Sequence, residues 1–510
     1  MAYVIGIDSS TTATKAVVWD HDGRAVAEGR AEFALVVPRP GWHEQDAEDW
    51  WRSTVTAVTQ ALESVDGSDI EAICLTHQRE TFVCVDEQGR PIRPAIVWMD
   101  VRATDQVAAL GSEEIHRLTG KPPDTTPAIY KLLWLREHEP ETIERTHWVV
   151  DVHAFLVHRL TGLWRTTTAC ADPLGLIDIQ RGDWSDDLLG RVGLSRERVP
   201  ALVAPGEVIG ELSPAAAERL GLGAGLPVVG GAGDGQAAGL GANATQPGHA
   251  YVNLGTAVVA GTMTEGYAWH RAFRTLTGAV PGTYLLETLL QGGTYTVNWF
   301  LERIAVLDAP GLALGLRDVD VLETAAARLG PGAEGLLLVP YMASAQTPYW
   351  DPAARGILFG LAGHHGRQHI FRAIMEGIAF EQRLAFEGME PQLDRPIELL
   401  LTTGGGSRSA LWRQIVADVT GKTVVACREA ETTSLGAGMQ AAAAVGWYGS
   451  VQDAAEAMAG VGAWHSPDAT AATRYDELFA VYREIYPRTA PLHEALQRAS
   501  DDWAGHDRRA

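Results

Sequence analysis

A chain of 510 residues exceeds one ordinary domain and predicts two or three. Its 46% hydrophobic and 21% charged residues are those of a globular protein with large cores. A formal charge of -23 argues against a nucleic-acid backbone or an anionic membrane surface as the main partner, while leaving room for a local basic pocket. Four scattered cysteines, Cys74, Cys84, Cys170 and Cys427, form neither a CxxC pair nor a disulfide framework. The opening MAYVIGIDSS has no basic segment followed by an apolar stretch. No uninterrupted apolar run approaches the ~20 residues that span a bilayer. A cytoplasmic protein is expected.

Tyr3–Ile7 reads as a strand, followed by the polar stretch Asp8-Ser9-Ser10-Thr11-Thr12 and a second strand, Lys15–Trp19. Asp20-His21-Asp22-Gly23 turns the chain into a third. Ala47–Val65 reads as an amphipathic helix with Trp50, Trp51, Val55, Val58 and Leu62 on one side. Ile70–Leu75 reads as a buried strand. Midway, the opening device returns: strand His249–Leu254, small turn Gly255-Thr256, strand Ala257–Thr262. The echo suggests two related halves. Ile370–Phe386 reads as a helix and Ile397–Thr402 as a strand running into Gly404-Gly405-Gly406. Ser409–Thr420 reads as a helix stopped by Gly421. The tail from Ala454 reads as mostly helical, with its last ten residues frayed. Alternating strands and helices favour a layered α/β architecture.

Four stretches can carry chemistry. The turn at Asp8 has hydroxyls and backbone N–H groups suited to phosphate oxygens, with Lys15 near enough to add charge. Its acid can hold Mg²⁺ through water. The alternative is a solvated hairpin turn. Gly404-Gly405-Gly406-Ser407-Arg408-Ser409, between strand and helix, lets a ligand lie on the backbone at a helix N-terminus, or is merely a glycine-rich turn; it matches neither GxGxxG nor the P-loop. Thr76-His77-Gln78-Arg79-Glu80-Thr81 follows a buried strand, where α/β folds place ligand sites. Arg79 can donate to hydroxyls and Glu80 accept from them, a pairing that reads vicinal diols; the alternative is a surface ion pair. Trp98 can wall such a site or simply pack in a core. In VVGGAGDGQAAGLG, residues 228–241, Asp234 stands alone among small residues. It marks either a tight turn or a general base that an alcohol must approach closely.

These motifs resemble the FGGY carbohydrate kinases, from Tyr3 to about Ala490. The most specific stretch is Gly356–Leu361, then seven residues, then His369–Glu376, preceded by Pro348–Pro352 and Arg355. The N-terminal signature is met in Lys131-Leu132-Leu133-Trp134-Leu135 but not at Thr126 and Ala128. The resemblance implies two actin-like, ribonuclease-H-like ATPase domains with the active site in the cleft between them. We take residues 1–246 as the sugar-binding domain, 247–490 as the nucleotide-binding domain and 491–510 as a tail. It also implies Mg-ATP as donor and a sugar or polyol as acceptor. Carried over by motif, Asp8 and Asp234 resemble the metal-linked acids, and Asp234 also the catalytic base. Ser10, Thr11, Thr12, Lys15, Gly255 and Thr256 resemble phosphate contacts. Gly405, Gly406 and Arg408 resemble the adenosine site, and Arg79, Glu80, Trp98 and Gln236 the acceptor contacts.

The chain departs from glycerol kinases at Ser10 (Gly there), Lys15 (Arg), Gly235 (Gln, here displaced to Gln236) and near Thr126 (Tyr). The losses of bulk imply a roomier acceptor pocket. His77–Thr81 looks like glycerol kinase, whereas residues 404–422 look like xylulokinases. The expected activity is ATP-dependent phosphorylation of a terminal hydroxyl on a linear ketose or polyol of about three to six carbons, with closure excluding water. A nucleotide-dependent sugar-binding or sensor protein without transfer is the alternative, and an actin-like chaperone or filament protein a more distant one. A homodimer is compatible with the chain.

Overall fold

The computed structural model describes residues 2–305 and 318–507. β1 (Tyr3–Ser9), β2 (Ala13–Trp19) and β3 (Ala25–Glu32) form the expected antiparallel run, with Asp8 opposite Lys15. Asp8 therefore belongs to a strand, and only residues 10–12 turn. α1 (Ala47–Ala61) begins at Asp46, whose side chain accepts from the Glu48 N–H, and ends short of Val65. β4 (Ile70–His77) is buried throughout except at Glu71, as a central parallel strand must be. α2 (Ala128–His138), α3 (Val152–Thr161), β5 (Val208–Glu211), β6 (Pro227–Val229) and α4 (Asp234–Gly241) also belong to the first lobe.

The second lobe contains β7 (His249–Leu254), β8 (Val258–Thr264), β9 (Arg274–Thr277), β10 (Tyr284–Leu290) and α5 (Thr294–Arg303). There follow α6 (Arg367–Met389), β11 (Leu399–Thr403), α7 (Ala410–Thr420), β12 (Thr423–Cys427) and α8 (Thr432–Ala444). Gly421, at φ +68°, stops α7 in the left-handed conformation that costs glycine nothing. After Ala454 the chain is not all helical. β13 (Val461–His465) pairs antiparallel with β12 before the long α9 (Ala469–Asp507) begins. So short a strand, exposed at a sheet edge, leaves no apolar periodicity to read. Residues 508–510, within the stretch expected to fray, lie outside the described residues.

The half-chain echo extends to topology. The first sheet runs β5-β6-β4-β1-β2-β3 and the second β13-β12-β11-β7-β8-β10-β9. In each, the opening strand pairs antiparallel with its hairpin partner on one side and parallel with a later strand on the other. The lobes also share a core in which Val4, Trp19 and Leu240 meet Tyr251, Leu401 and Leu435. Trp19 Nε1 donates to Ser434 Oγ at 3.2 Å, and Ser434 Oγ to the Gly6 carbonyl at 2.8 Å.

Candidate active site

Asp234 opens α4 directly after Gly233. Asp234 stands at a junction into a helix rather than in a tight turn, and its side chain keeps 40% of its exposure. The surrounding glycines answer a different need from the one expected. A Cβ at Gly231 would sit 1.8 Å from the Leu75 carbonyl oxygen, at Gly233 2.4 Å from Arg79 Cγ, and at Gly235 2.4 Å from Glu287 Oε2. The protein packs its own backbone and side chains there, and that packing aims Asp234 outward. Asp234 Oδ1 accepts from the Gly235 N–H at 2.7 Å and faces Arg79 Nε at 2.7 Å.

Arg79 and Glu80 sit at the end of β4, buried to 6% and 4% exposure. They are not a surface pair, nor are they paired with each other. Arg79 Nη1 lies 3.0 Å from both oxygens of Glu287 on β10. Glu80 Oε1 accepts from Arg274 Nη1 at 2.8 Å. Arg274, on β9, also reaches Glu287 Oε1 through Nε at 2.7 Å and Nη2 at 2.6 Å, and Tyr251 donates its hydroxyl to Glu287 Oε2 at 2.9 Å. Burial alone would push the Glu287 carboxyl up, but Arg274 and Arg79 outweigh it and hold the group at about 2. Glu80 takes φ +60°, in the left-handed region uncommon for a non-glycine residue, so adjacent side chains part toward different partners. Gln236 is buried too. Its amide nitrogen donates to the carbonyls of Ala169 at 2.8 Å and Thr277 at 3.3 Å, and its oxygen faces Arg79 Nη1 at 3.5 Å. It braces Arg79 and presents no open face of its own.

Trp98 is half-buried, so it is not plain core. Its indole N–H donates to Thr11 Oγ1 at 3.0 Å, joining the hydroxyl turn to the Trp98 segment. Lys131 holds the Trp98 segment from below, donating Nζ to the carbonyls of Trp98 at 2.9 Å and Thr126 at 2.8 Å. Burial pushes that ammonium down to about 8 against the pull of Asp100 and Glu80. The Ser10 hydroxyl donates to the Ala13 carbonyl at 2.8 Å, and its N–H to the same oxygen at 2.9 Å, so Ser10 closes the turn rather than offering donors outward. Thr12 is exposed. Lys15 forms an ion pair with Glu431 at 2.7 Å, across the lobes.

Asp8 faces this space half-buried, and its Oδ1 is buried with no hydrogen-bond partner. Burial, then the charges of Asp234 and Glu431, push its carboxyl up to about 8 despite Lys15. An unpartnered carboxylate oxygen crowded by two further acids is a setting that a divalent cation relieves. No group of three or more His, Cys, Asp or Glu among the described residues has the arrangement of a metal site. The donor set therefore fits an ion carried on one or two carboxylates, water and phosphate, as Mg²⁺ usually is.

On the second lobe, Gly255 and Thr256 leave β7 in a turn whose carbonyls accept from the N–H groups of Thr294 at 2.8 Å and Tyr295 at 3.2 Å. Gly404, at φ +81°, backs onto this turn; a Cβ there would lie 2.3 Å from Asn253 Oδ1. The two glycine turns are thus one surface. Beyond it, Gly405, Gly406 and Arg408 line a cavity of about 1150 Å³ with Asn298, Phe371 and Met375.

The sequence reading missed Glu287, Arg274, Tyr251 and Glu431. One signal was available: Glu287 interrupts the apolar run Tyr284-Leu285-Leu286-Glu287-Thr288-Leu289-Leu290, and a charge inside a strand of that kind is rarely buried unpaired. Nothing along the chain pairs Arg274 with Glu80, 194 positions apart.

The two matched sheets, joined by a shared core, define the two-domain actin-like ATPase fold. The N-terminal domain model of the FGGY family of carbohydrate kinases matches residues 3–241, and the C-terminal domain model matches residues 250–445. The xylulose kinase of Bacillus subtilis strain 168 is 29% identical over 508 residues, covering 98% of this chain and 99% of that protein. The glycerol kinase of Deinococcus radiodurans is 32% identical over 470 residues, covering 89% and 91%. The crystal structure of gluconate kinase from Lactobacillus acidophilus superposes with a TM-score of 0.91 at 26% identity, covering 97% and 99%. The chain belongs to the FGGY family of carbohydrate kinases: it is a phosphotransferase acting on a sugar or polyol, with ATP as its donor. Among the described residues no helix is long and apolar enough to cross a membrane.

Proposed function

We propose that this enzyme phosphorylates a terminal hydroxyl of an uncharged linear ketose or polyol of about three to six carbons, with Asp234 as general base. The observation that carries the reading is the contrast within one network. Glu80 and Glu287 are buried in ion pairs, whereas the Asp234 side chain stays 40% exposed, with its Oδ1 taken by the Gly235 N–H and lying 2.7 Å from Arg79 Nε. The open oxygen is available to an alcohol. Residues 1–246 would supply the acceptor site and base, residues 247–490 the nucleotide site, and residues 491–510 a tail.

In the reaction, Asp234 takes the hydroxyl proton as the acceptor oxygen bonds to the γ-phosphorus and the bond to the ADP oxygen breaks. Thr11, Thr12, Lys15, Gly255 and Thr256 cradle the phosphates, and Gly405, Gly406 and Arg408 line the adenosine cavity. Asp8, with Asp234 beside it, would hold Mg²⁺ through water, and the ion would neutralise phosphate charge. Trp98 walls the acceptor, and Arg79 and Glu80 orient it. Four free cysteines, three of them buried, suit a reducing cytoplasm.

A coupled ADP-release assay across C3 to C6 ketoses and polyols, with an ATP-only blank, tests the activity. Asp234→Asn should lower kcat on the order of 10²–10⁴-fold and leave the KM for ATP in place. A near-normal rate in that variant would remove Asp234 from the role of base.

A further inference from the structure

Arg79 and Glu80 are consecutive in the first lobe, and Arg274 and Glu287 are cross-strand partners in the β9–β10 ladder of the second. The two pairs meet as a closed ring: Arg79 on Glu287, Glu287 on Arg274, Arg274 on Glu80, and Glu80 bonded back to Arg79 through the chain. All four side chains are buried, at 8% exposure or less. Asp234 is attached to the ring through Arg79.

We propose that Arg274, held by Glu287, determines acceptor specificity in this enzyme. It acts as a positioning residue: it fixes Glu80 and, through Glu287, Arg79. This rests on the reading of Arg79 and Glu80 as the acceptor site. Two consequences follow from the ring. First, neither acceptor-orienting side chain is free to swing, because each is anchored on the opposite lobe. The acceptor meets a preformed edge rather than two flexible groups, and ordering cost is removed before binding. Second, the charge is already matched. The ring sets two carboxylates, Glu80 and Glu287, against two guanidinium groups, and the appended Asp234 adds a third carboxylate. Of the nearby lysines, Lys121 is paired with Asp172, and Lys131 donates to two carbonyls. An aldonate would bring a fourth carboxylate to a site whose two guanidinium groups already carry three, and like charges placed together in a desolvated site are strongly unfavourable. The site is built to favour a neutral acceptor and to exclude a sugar acid.

Arginine is required because one planar fork serves two carboxylates at once; a lysine ammonium is a point charge that can satisfy one of them. Arg274→Lys should therefore resemble Arg274→Met in function while keeping the buried charge.

The test measures kcat and KM for xylulose, glycerol, gluconate and ATP in the unaltered enzyme, Arg274→Met, Arg274→Lys, Glu80→Gln and the Arg274→Met/Glu80→Gln double variant. The unaltered enzyme should prefer its best neutral acceptor over gluconate by about 100-fold or more in kcat/KM. Both Arg274 variants should raise the acceptor KM about tenfold and move the KM for ATP less than about twofold. The double variant should be little worse than Glu80→Gln alone, because members of one network do not add. An acceptor KM unmoved in Arg274→Lys, additive effects, or equal losses for ATP and acceptor would reduce Arg274 to a structural residue and overturn the proposal. Gluconate as the best substrate would overturn it as well. Where Arg274→Met fails to fold, Arg274→Lys carries the test alone. No turnover of any acceptor by the unaltered enzyme would instead remove the acceptor-site reading, and this inference with it.

Discussion

Gly436 of α8 lies so close to Ala237 of α4 that a Cβ on Gly436 would stand 2.0 Å from the Ala237 carbonyl oxygen. The same two helices touch again where Gly241 faces the Thr432 carbonyl oxygen, at 1.9 Å from a notional Cβ. One helix opens with Asp234, and the other follows Glu431. The seam between the lobes is therefore set by backbone against backbone, and it fixes the height at which Asp234 stands. Gly436→Ala should cost about 1–3 kcal/mol by overpacking and lower kcat by displacing α4. Gly223→Ala, with nothing within 4 Å of its notional Cβ, should be near neutral. Melting curves and ADP release for the two variants check this; unchanged kcat in Gly436→Ala would separate the seam from Asp234.

Glu287 predicts acid sensitivity. Its folded value of about 2 lies below the ordinary 4.5, so its contribution is complete above pH 4.5 and is lost as pH falls toward 2. The full shift corresponds to about 3 kcal/mol. Glu287→Gln leaves two buried guanidinium groups poorly matched and should destabilise by about 3–5 kcal/mol at pH 7. The stability gap between this variant and the unaltered protein, read from urea titrations, should narrow below pH 4.5. A gap independent of pH would mean that Glu287 is not held ionised.

The opposite sign applies at Glu381 on α6. It is buried and accepts from the hydroxyls of Tyr341 at 2.9 Å and of Tyr482, on α9, at 2.5 Å. Burial pushes its carboxyl up to about 7, above the ordinary 4.5. Its protonated form stabilises the fold fully below pH 4.5, and that advantage is lost as pH rises through 7. Glu381→Gln should match the unaltered protein at pH 5 and melt a few degrees higher at pH 8. Equal melting temperatures at pH 8 would contradict the assignment.

Lys15 is tied to Glu431 at 2.7 Å, with 25% and 38% of the two side chains exposed. A triphosphate that uses Lys15 must compete with that carboxylate. A partly exposed pair is worth about 0.2–1 kcal/mol, so Glu431→Gln should lower the KM for ATP by up to about fivefold. Lys15→Ala should raise it. Initial rates across ATP concentrations decide the point, and a KM for ATP unmoved in both variants would place Lys15 away from the phosphates.

Sequence alone determined the local devices. The stretch Ile70–Leu75 reads as a buried strand, Gly421 as a helix stop at positive φ, and Asp234 among glycines as either a turn or a site. The half-chain repeat was legible because the same strand, turn and strand recur near residues 8 and 255. Tertiary structure decided what those devices face. Arg79 and Glu80 read as a pair because they are adjacent, yet a left-handed Glu80 sends them to partners on β9 and β10. Gln236 looked like an acceptor contact but turns inward to the carbonyls of Ala169 and Thr277. The glycines beside Asp234 looked like room for a ligand and are room for Leu75, Arg79 and Glu287. The physical reason is common to all three. Propensity and periodicity act over a few residues, whereas the electrostatic fate of a buried charge depends on groups brought together from distant positions by packing.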